Sequence, residues 1–216
     1  LLAIMLEEKP VPEDLIHAII RRGTIAGQIA PVLMGSAYRN KGVQLLLDAI
    51  VRYLPAPLDR EMFALDMNND EAEVPVEADP DGPLVALAFK LVDESFGQLT
   101  FMRIYQGKMV RGERYLNSRT RRPSRFSRIV RMHADEREDM DSASAGDIVA
   151  VVGVDCISGD TFCAHDINYA MESMFVMDPV ISIAVAPART LDRDKFSKAL
   201  HRFSKEDPTF HVASDP

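Results

Sequence analysis

The sequence predicts a multidomain chain that combines an α/β segment, an all-β domain and the start of a further layer. The chain has 216 residues and is 47% hydrophobic, which is enough for one to three domains. Residues 12–54 alternate helical and strand-like patterns, whereas residues 84–154 form short apolar runs separated by glycine turns. A strand-like run and an amphipathic helical pattern follow in residues 180–205.

The first segment has the pattern of the last part of an open α/β domain. Residues 12–22 place acids in the first turn, an apolar stripe in the middle and arginines near the end, which indicates a helix. The apolar run 29–34 predicts a strand, and residues 44–54 predict a second helix. Open α/β domains bind ligands beyond the carboxyl ends of their strands. The loop at residues 35–42 is therefore a candidate binding loop.

Residues 58–82 change composition sharply, because Asp, Glu and Asn crowd a stretch with little periodic apolar content. Such a stretch indicates a solvated acidic linker between domains. A calcium loop is the alternative, but the glycine and terminal glutamate of the EF-hand spacing are missing.

The next segment predicts a small antiparallel barrel or sandwich. Residues 84–91 and 99–105 are rich in β-branched, aromatic and aliphatic residues and are bounded by Gly or Pro. Glycine turns recur later at the spacing expected of short antiparallel strands. Both alternating sets of residues 84–91 are largely apolar, so we expect protein to pack on both faces of this strand.

The stretch 117–131 contains six arginines and no acid. Because guanidinium groups can donate paired hydrogen bonds to phosphate oxygens, a hairpin tip of this composition is a candidate nucleic-acid contact. The alternative, at least as well supported by the sequence, is that these arginines pair with the acidic run 135–141. No regularly spaced aromatic residues favour base stacking. The candidate contacts are Arg119, Arg121, Arg122 and Arg125.

Composition and spacing argue against several other functions. A net charge of −8 excludes a protein that coats nucleic acid over its whole surface. Cys156 and Cys163 form neither a CxxC motif nor a disulfide framework, and His133 with its neighbouring acids lacks a second histidine at metal-ligand spacing. No apolar run approaches the roughly twenty residues of a membrane span. We therefore predict no metal site and no membrane segment.

Short strings in a fixed order extend along the chain. They are Pro31-Val32-Leu33-Met34-Gly35-Ser36-Ala37, Asn40-Lys41-Gly42-Val43-Gln44, Arg131-Met132-His133-Ala134, Ser158-Gly159-Asp160-Thr161 and Glu206-Asp207-Pro208-Thr209-Phe210. Together these strings resemble the bacterial elongation factor G family of translational GTPases over essentially the whole sequence.

The resemblance implies a piece of a longer protein, as does a first residue that is not Met. Residues 1–57 would end a P-loop-type GTP-binding domain and residues 83–178 would form the translation-factor β-barrel. Residues 179–216 would supply the first strand and helix of a ferredoxin-like third domain.

The resemblance also implies a function, namely a ribosome-binding GTPase that drives translocation of tRNA and mRNA. Ser36 and Ala37 would approach the guanine through a backbone N–H, and the barrel would dock on small-subunit ribosomal RNA. GTP or GDP and Mg²⁺ would be cofactors of the complete protein, which we expect to be cytoplasmic and monomeric. Ribosome recycling, release factor three and ribosomal protection are alternatives within the family, and a non-catalytic module that binds ribosomal RNA or a protein is the alternative outside it.

No catalytic residue is predicted in this chain. Residues 107–112 imitate half of a P-loop, but Glu113 and Arg114 stand where Lys and Ser/Thr are needed. A hairpin is the better interpretation of that stretch. Residues 40–43 resemble a guanine-specificity motif but end in Val43 in place of a carboxylate. We therefore expect the chain alone to be inactive as a GTPase.

Overall fold

The computed structural model describes residues 10–94, 97–134, 136–171, 179–207 and 209–213. The chain divides into two compact units, Leu1–Arg60 and Glu61–Pro216. Within the described ranges, no helix is long and apolar enough to cross a lipid bilayer.

The described part of the first unit, from residue 10 onward, contains the α-helices α1 (Glu13–Ile25) and α2 (Val43–Tyr53). Both lie within a few residues of the predicted helices, and α1 continues past Gly23. The two helices are joined by polar side chains: His17 Nδ1 lies 2.6 Å from the Tyr53 hydroxyl, and Arg21 donates to the carbonyl oxygens of Arg52 and Leu54, each at 3.0 Å. Arg21 thus satisfies carbonyl groups that the end of α2 leaves without intrahelical partners.

The predicted strand at residues 29–34 is wrong, because this run is irregular in the structure. Val32 is 88% exposed and Met34 is 94% exposed. A strand requires a hydrogen-bonded neighbour, and the described part of the first unit offers these residues none. The nearest bridge in that part joins Ser36 to Lys41.

The second unit is mostly antiparallel sheet. Its single helix in the described ranges, α3 (Arg193–Glu206), follows a short 3₁₀ turn at Thr190–Asp192 and matches the predicted helix at residues 190–205. The strands are β1 (Met62–Asp66), β2 (Ala72–Val76), β3 (Val85–Glu94), β4 (Gly97–Gln106), β5 (Lys108–Val110), β6 (Arg114–Asn117), β7 (Arg122–Arg125), β8 (Ile129–His133), β9 (Glu136–Met140), β10 (Ser142–Ser144), β11 (Ile148–Val152), β12 (Thr161–Cys163) and β13 (Tyr169–Met171).

An eight-stranded sheet in the order β7-β6-β12-β3-β4-β11-β8-β9 forms the main body of the unit. Strands β5 and β10 form a separate pair, and β13-β1-β2 form a three-stranded sheet. The large sheet encloses an apolar core, in which the Phe126 ring stacks edge-on against Tyr115 and Phe162. The short strands and the enclosed core agree with the predicted barrel-like domain.

Strand β3 is buried on both faces, as its sequence predicts. Ala86 and Ala88 point into the core of the large sheet. Val85 and Leu87 point the other way and pack with Ala64 and other residues of the three-stranded sheet. The layer that the apolar pattern of β3 requires is therefore β13-β1-β2.

The interpretation of residues 58–82 as a solvated acidic linker is wrong for most of the stretch. Strands β1 and β2 lie inside it and pair in antiparallel register, with Ala64 opposite Val74. The acids lie between half-buried apolar residues, because one face of each strand covers β3 while the other faces water. The many acidic residues of this stretch therefore hid the alternation of buried and exposed side chains that is typical of a strand.

The predicted strand at residues 180–186 is also wrong, since residues 179–187 are irregular and Val180 and Ile183 are exposed. No described strand pairs with this run. Helix α3, by contrast, contacts the sheet, and Lys205 Nζ lies 2.6 Å from Asp155 Oδ1. The Phe203 ring packs edge-on against Phe210 at a centroid distance of 5.9 Å.

Candidate nucleotide loop and arginine hairpin

The loop at residues 35–42 is closed by two backbone hydrogen bonds. Ser36 N donates to Lys41 O at 2.9 Å, and Lys41 N donates to Ser36 O at 3.0 Å. A Cβ atom on Gly35 would lie 2.9 Å from Lys41 O, and one on Gly42 would lie 2.9 Å from Met34 O. Glycine is therefore required on both sides of the closure, and Gly42 also adopts φ +75°.

Within this loop, Ala37–Arg39 form a 3₁₀ turn that begins after Ser36. The first N–H groups of such a turn have no partner inside it, and the amides of Ala37 and Tyr38 donate to no other described residue. Both residues are exposed. The loop thus presents backbone donors, flanked by the small side chain of Ala37, to an outside acceptor.

The predicted hairpin tip at residues 119–122 is present and joins β6 to β7. Asn117 holds the tip in shape: its carbonyl accepts from Arg121 N at 2.8 Å, and its side-chain oxygen accepts from Thr120 N at 3.0 Å. Arg121 adopts a positive φ of 55°.

Arg119 is not a free side chain at this tip. Its Nε donates to Asp160 Oδ1 at 2.6 Å and its Nη2 donates to Asp160 Oδ2 at 2.9 Å. The same carboxylate accepts from Asn117 Nδ2 at 2.8 Å and from Ile157 N at 3.1 Å. The hydrogen bond that Arg119 donates to Asp160 raises the pKa of Arg119. Its guanidinium therefore anchors the hairpin to the segment before β12, and the predicted RNA contact of Arg119 stays a prediction.

Arg128 and Arg131 pair with acids, as the alternative interpretation of the arginine-rich stretch predicted. Arg128 Nε donates to Asp139 Oδ1 at 2.6 Å, and Arg131 Nη1 lies 3.8 Å from Glu138 Oε2. The hydrogen bond from Arg128 lowers the pKa of Asp139. Asp135, the first acid of the predicted run, lies outside the described residues.

The other three predicted arginines differ in what they contact. Arg121 Nη2 lies 3.4 Å from Met67 O, and Arg125 Nε donates to Gly112 O at 3.0 Å. Arg122 is exposed and has no hydrogen-bond or acidic partner among the described residues. Arg114, which was not among the predicted contacts, lies directly opposite Arg125 across β6 and β7.

The P-loop imitation at residues 107–112 is strand β5 and a turn in which Gly112 N donates to Phe126 O. Within the described ranges, no group of three His, Cys, Asp or Glu residues could hold a metal ion. Cys156 and Cys163 are buried free thiols, and burial raises the pKa of Cys156 to about 11.

Two family models match the chain. Residues 97–163 match Elongation factor Tu domain 2, and residues 176–216 match Elongation Factor G, domain III. The first match covers the central strands and the arginine hairpin.

Curated relatives match almost the full chain. Elongation factor G from Rhodopirellula baltica is 52% identical over 98% of the chain, and the mitochondrial elongation factor G-1 of Arabidopsis thaliana is 50% identical over 98%. The chain spans 30% and 28% of the lengths of these two proteins. A crystal structure of a protein from Thermus thermophilus has a similar fold, with a TM-score of 0.68 and 22% identity over 96% of this chain and 29% of that one. The chain therefore belongs to the elongation factor G family.

Proposed function

We propose that this chain is part of a ribosome-binding GTPase that hydrolyses GTP and drives translocation of tRNA and mRNA. The observation that carries the proposal is 52% identity over 98% of the chain to a protein named elongation factor G. A location in the cytoplasm and a monomeric state belong to the same proposal.

The loop at residues 35–42 is proposed to form the guanine side of the nucleotide site. Its exposed backbone donors at Ala37 and Tyr38 suit a carbonyl acceptor such as guanine O6, and the small Ala37 side chain permits close approach of a base. Ser36 would contribute by closing the loop through its pairing with Lys41. This geometry fits GTP or GDP as the ligand of the complete protein.

Phosphate and Mg²⁺ chemistry is assigned to other parts of the complete protein. This chain contains no G-x-x-x-x-G-K-[ST] sequence, and such a sequence is what places an ammonium and a hydroxyl at the phosphates and the metal. We accordingly propose that the 216-residue chain alone does not hydrolyse GTP. Phosphate release from GTP by the isolated chain would contradict this.

The hairpin β6–β7 is proposed to contact small-subunit ribosomal RNA. The 216-residue chain is acidic, so its contact with RNA must come from a local basic surface. Arg121 and Arg122 at the tip, with Arg125 behind them, supply such a surface. These contacts would position the protein on the phosphate backbone without reading sequence.

The proposed function is tested by GTP hydrolysis and toeprinting with the full-length protein. We expect ribosomes to stimulate GTP hydrolysis and the mRNA to advance by one codon. Hydrolysis with subunit splitting, but without mRNA movement, would assign the protein to ribosome recycling. Ribosome binding without any GTP hydrolysis would favour the non-catalytic RNA-binding module instead.

A further inference from the structure

Two arginines of the hairpin face each other across its strands. Arg114 of β6 lies directly opposite Arg125 of β7 in antiparallel register, and both are exposed. Side chains at such positions share one face of the sheet, and like charges there are destabilising. The Arg114 side chain has no hydrogen-bond or acidic partner among the residues that the structure describes. Two like charges with no acid between them therefore share this face of the hairpin.

Arg125 is held in position by the turn before β6. Its Nε donates to Gly112 O at 3.0 Å, and its Nη2 lies 3.8 Å from where a Cβ on Gly112 would be. Gly112 itself is fixed at φ +88° and donates through its N to Phe126 O at 2.7 Å. This anchoring engages Nε and leaves both terminal nitrogens of Arg125 available to a ligand.

Four nearby arginines lie beside acids. Arg119, Arg128 and Arg131 lie against Asp160, Asp139 and Glu138. Arg111 lies 2.8 Å from Asp141. The next residue pair on the face of Arg114 and Arg125 is Leu116 with Pro123, which is uncharged. Arg121 and Arg122 at the tip also lack an acidic partner, but within the described part of the hairpin only Arg114 and Arg125 form a directly opposed pair of arginines.

We propose that Arg114 and Arg125 together bind the phosphate backbone of RNA. Guanidinium groups donate paired, charge-assisted hydrogen bonds to phosphate oxygens, and a bound phosphate would relieve the repulsion between the two side chains. The inference rests on the proposed ribosomal function and deepens it, since it moves the centre of the RNA contact from the hairpin tip to the face of β6 and β7. Arg114 is the new residue in this site.

The test uses the full-length protein with Arg114 and Arg125 both replaced by Gln. The control replaces Arg128 and Arg131 by Gln, which removes the same charge from acid-paired positions on the same stretch. Binding to small ribosomal subunits and to naked small-subunit RNA is measured against KCl concentration. We expect the R114Q/R125Q variant to bind about tenfold more weakly in low salt and its log–log salt slope to be shallower by about 1–2, because each phosphate contact contributes roughly 0.7–0.9. The control should keep the wild-type slope.

Thermal unfolding separates this role from a structural one. The two replacements remove a like-charge pair and one exposed hydrogen bond, from Arg125 Nε to Gly112 O, so the unfolding midpoint of R114Q/R125Q should stay close to that of the wild type, whereas a mainly structural role of the pair would lower it clearly. An unchanged salt slope, or an equal loss in the control, would overturn the inference.

The two RNA probes separate the inference from the proposed function. Weakened binding to subunits with unchanged binding to naked RNA would identify a protein partner and would also overturn the inference. Naked-RNA binding that depends on the two arginines, without any binding to subunits, would support the inference and contradict the ribosomal function. Failure of the wild type to bind either probe would contradict both.

Discussion

Arg119 and Asp160, which lie 41 residues apart, form a two-point ion pair in which the Asp160 side chain is only 1% exposed. Asp160 also accepts from Asn117 and Ile157. The carboxylate thus ties the tip of the arginine hairpin to the segment that leads into β12.

Replacing Arg119 by Ala should destabilise the protein, because it leaves a buried carboxylate without its cation. Removing one partner of a fully buried pair costs about 3–5 kcal/mol. We expect less here, about 1–3 kcal/mol, since the Arg119 side chain is half exposed and two other donors remain. The measurement is urea unfolding. Arg122→Ala is the control and should change stability by less than about 0.5 kcal/mol; equal effects in the two variants would contradict the anchoring role.

Leu87 should behave as a core residue although it lies on the outer face of the large sheet. It is 6% exposed and packs against the three-stranded sheet. Leu87→Ala should therefore lower the free energy of unfolding by about 2–4 kcal/mol. Ile148→Ala on β11 serves as the control, because Ile148 is 57% exposed and its truncation should cost far less. A small effect at Leu87 would mean that β13-β1-β2 does not cover β3 in solution.

Stability should fall in alkaline solution partly because of Cys156. Burial raises the pKa of this thiol from 9.0 to about 11, so the folded state keeps its proton where the unfolded state loses it. The contribution is complete below pH 9 and declines from there to about pH 11, by at most about 1.4 kcal/mol per pH unit. Cys156→Ser keeps a hydrogen-bonding group and removes the titration. Its urea midpoint should fall less steeply between pH 9 and pH 11 than that of the wild type; parallel curves would contradict the assignment.

Gly42→Ala should disrupt the proposed nucleotide loop. The new Cβ would lie 2.9 Å from Met34 O and 3.2 Å from Gly35 Cα, at a φ of +75°. Gly27→Ala is a matched control, because Gly27 has a φ of +68° but nothing within 4 Å of the added atom. We expect Gly42→Ala in the full-length protein to weaken binding of fluorescent GDP by about tenfold, equivalent to about 1.4 kcal/mol, and Gly27→Ala to leave it within twofold. Equal GDP affinities of the two variants would show that the loop does not take part in nucleotide binding.

The sequence predicted the helices and the central strands because their apolar spacing is local. The runs 29–34 and 180–186 have strong β-propensity, yet neither is a strand, since pairing depends on a neighbour and not on propensity. The apolar pattern of β3 required a covering layer, but no local signal located that layer in the acidic residues 62–76. Contacts between residues distant in sequence also explain why the partner of Arg119 was not predicted. Asp160 is distant in sequence from Arg119, so nothing in the hairpin itself indicated that this arginine is already bound.

Strand β3 serves two cores with residues of different size, since Ala86 and Ala88 fill one while Val85 and Leu87 fill the other. A one-residue insertion or deletion near its start would exchange the two sets. The branched side chains would then crowd the aromatic interior while the alanines left gaps beneath the small sheet. Insertions and deletions can therefore be tolerated at the turns of this domain, but not within β3.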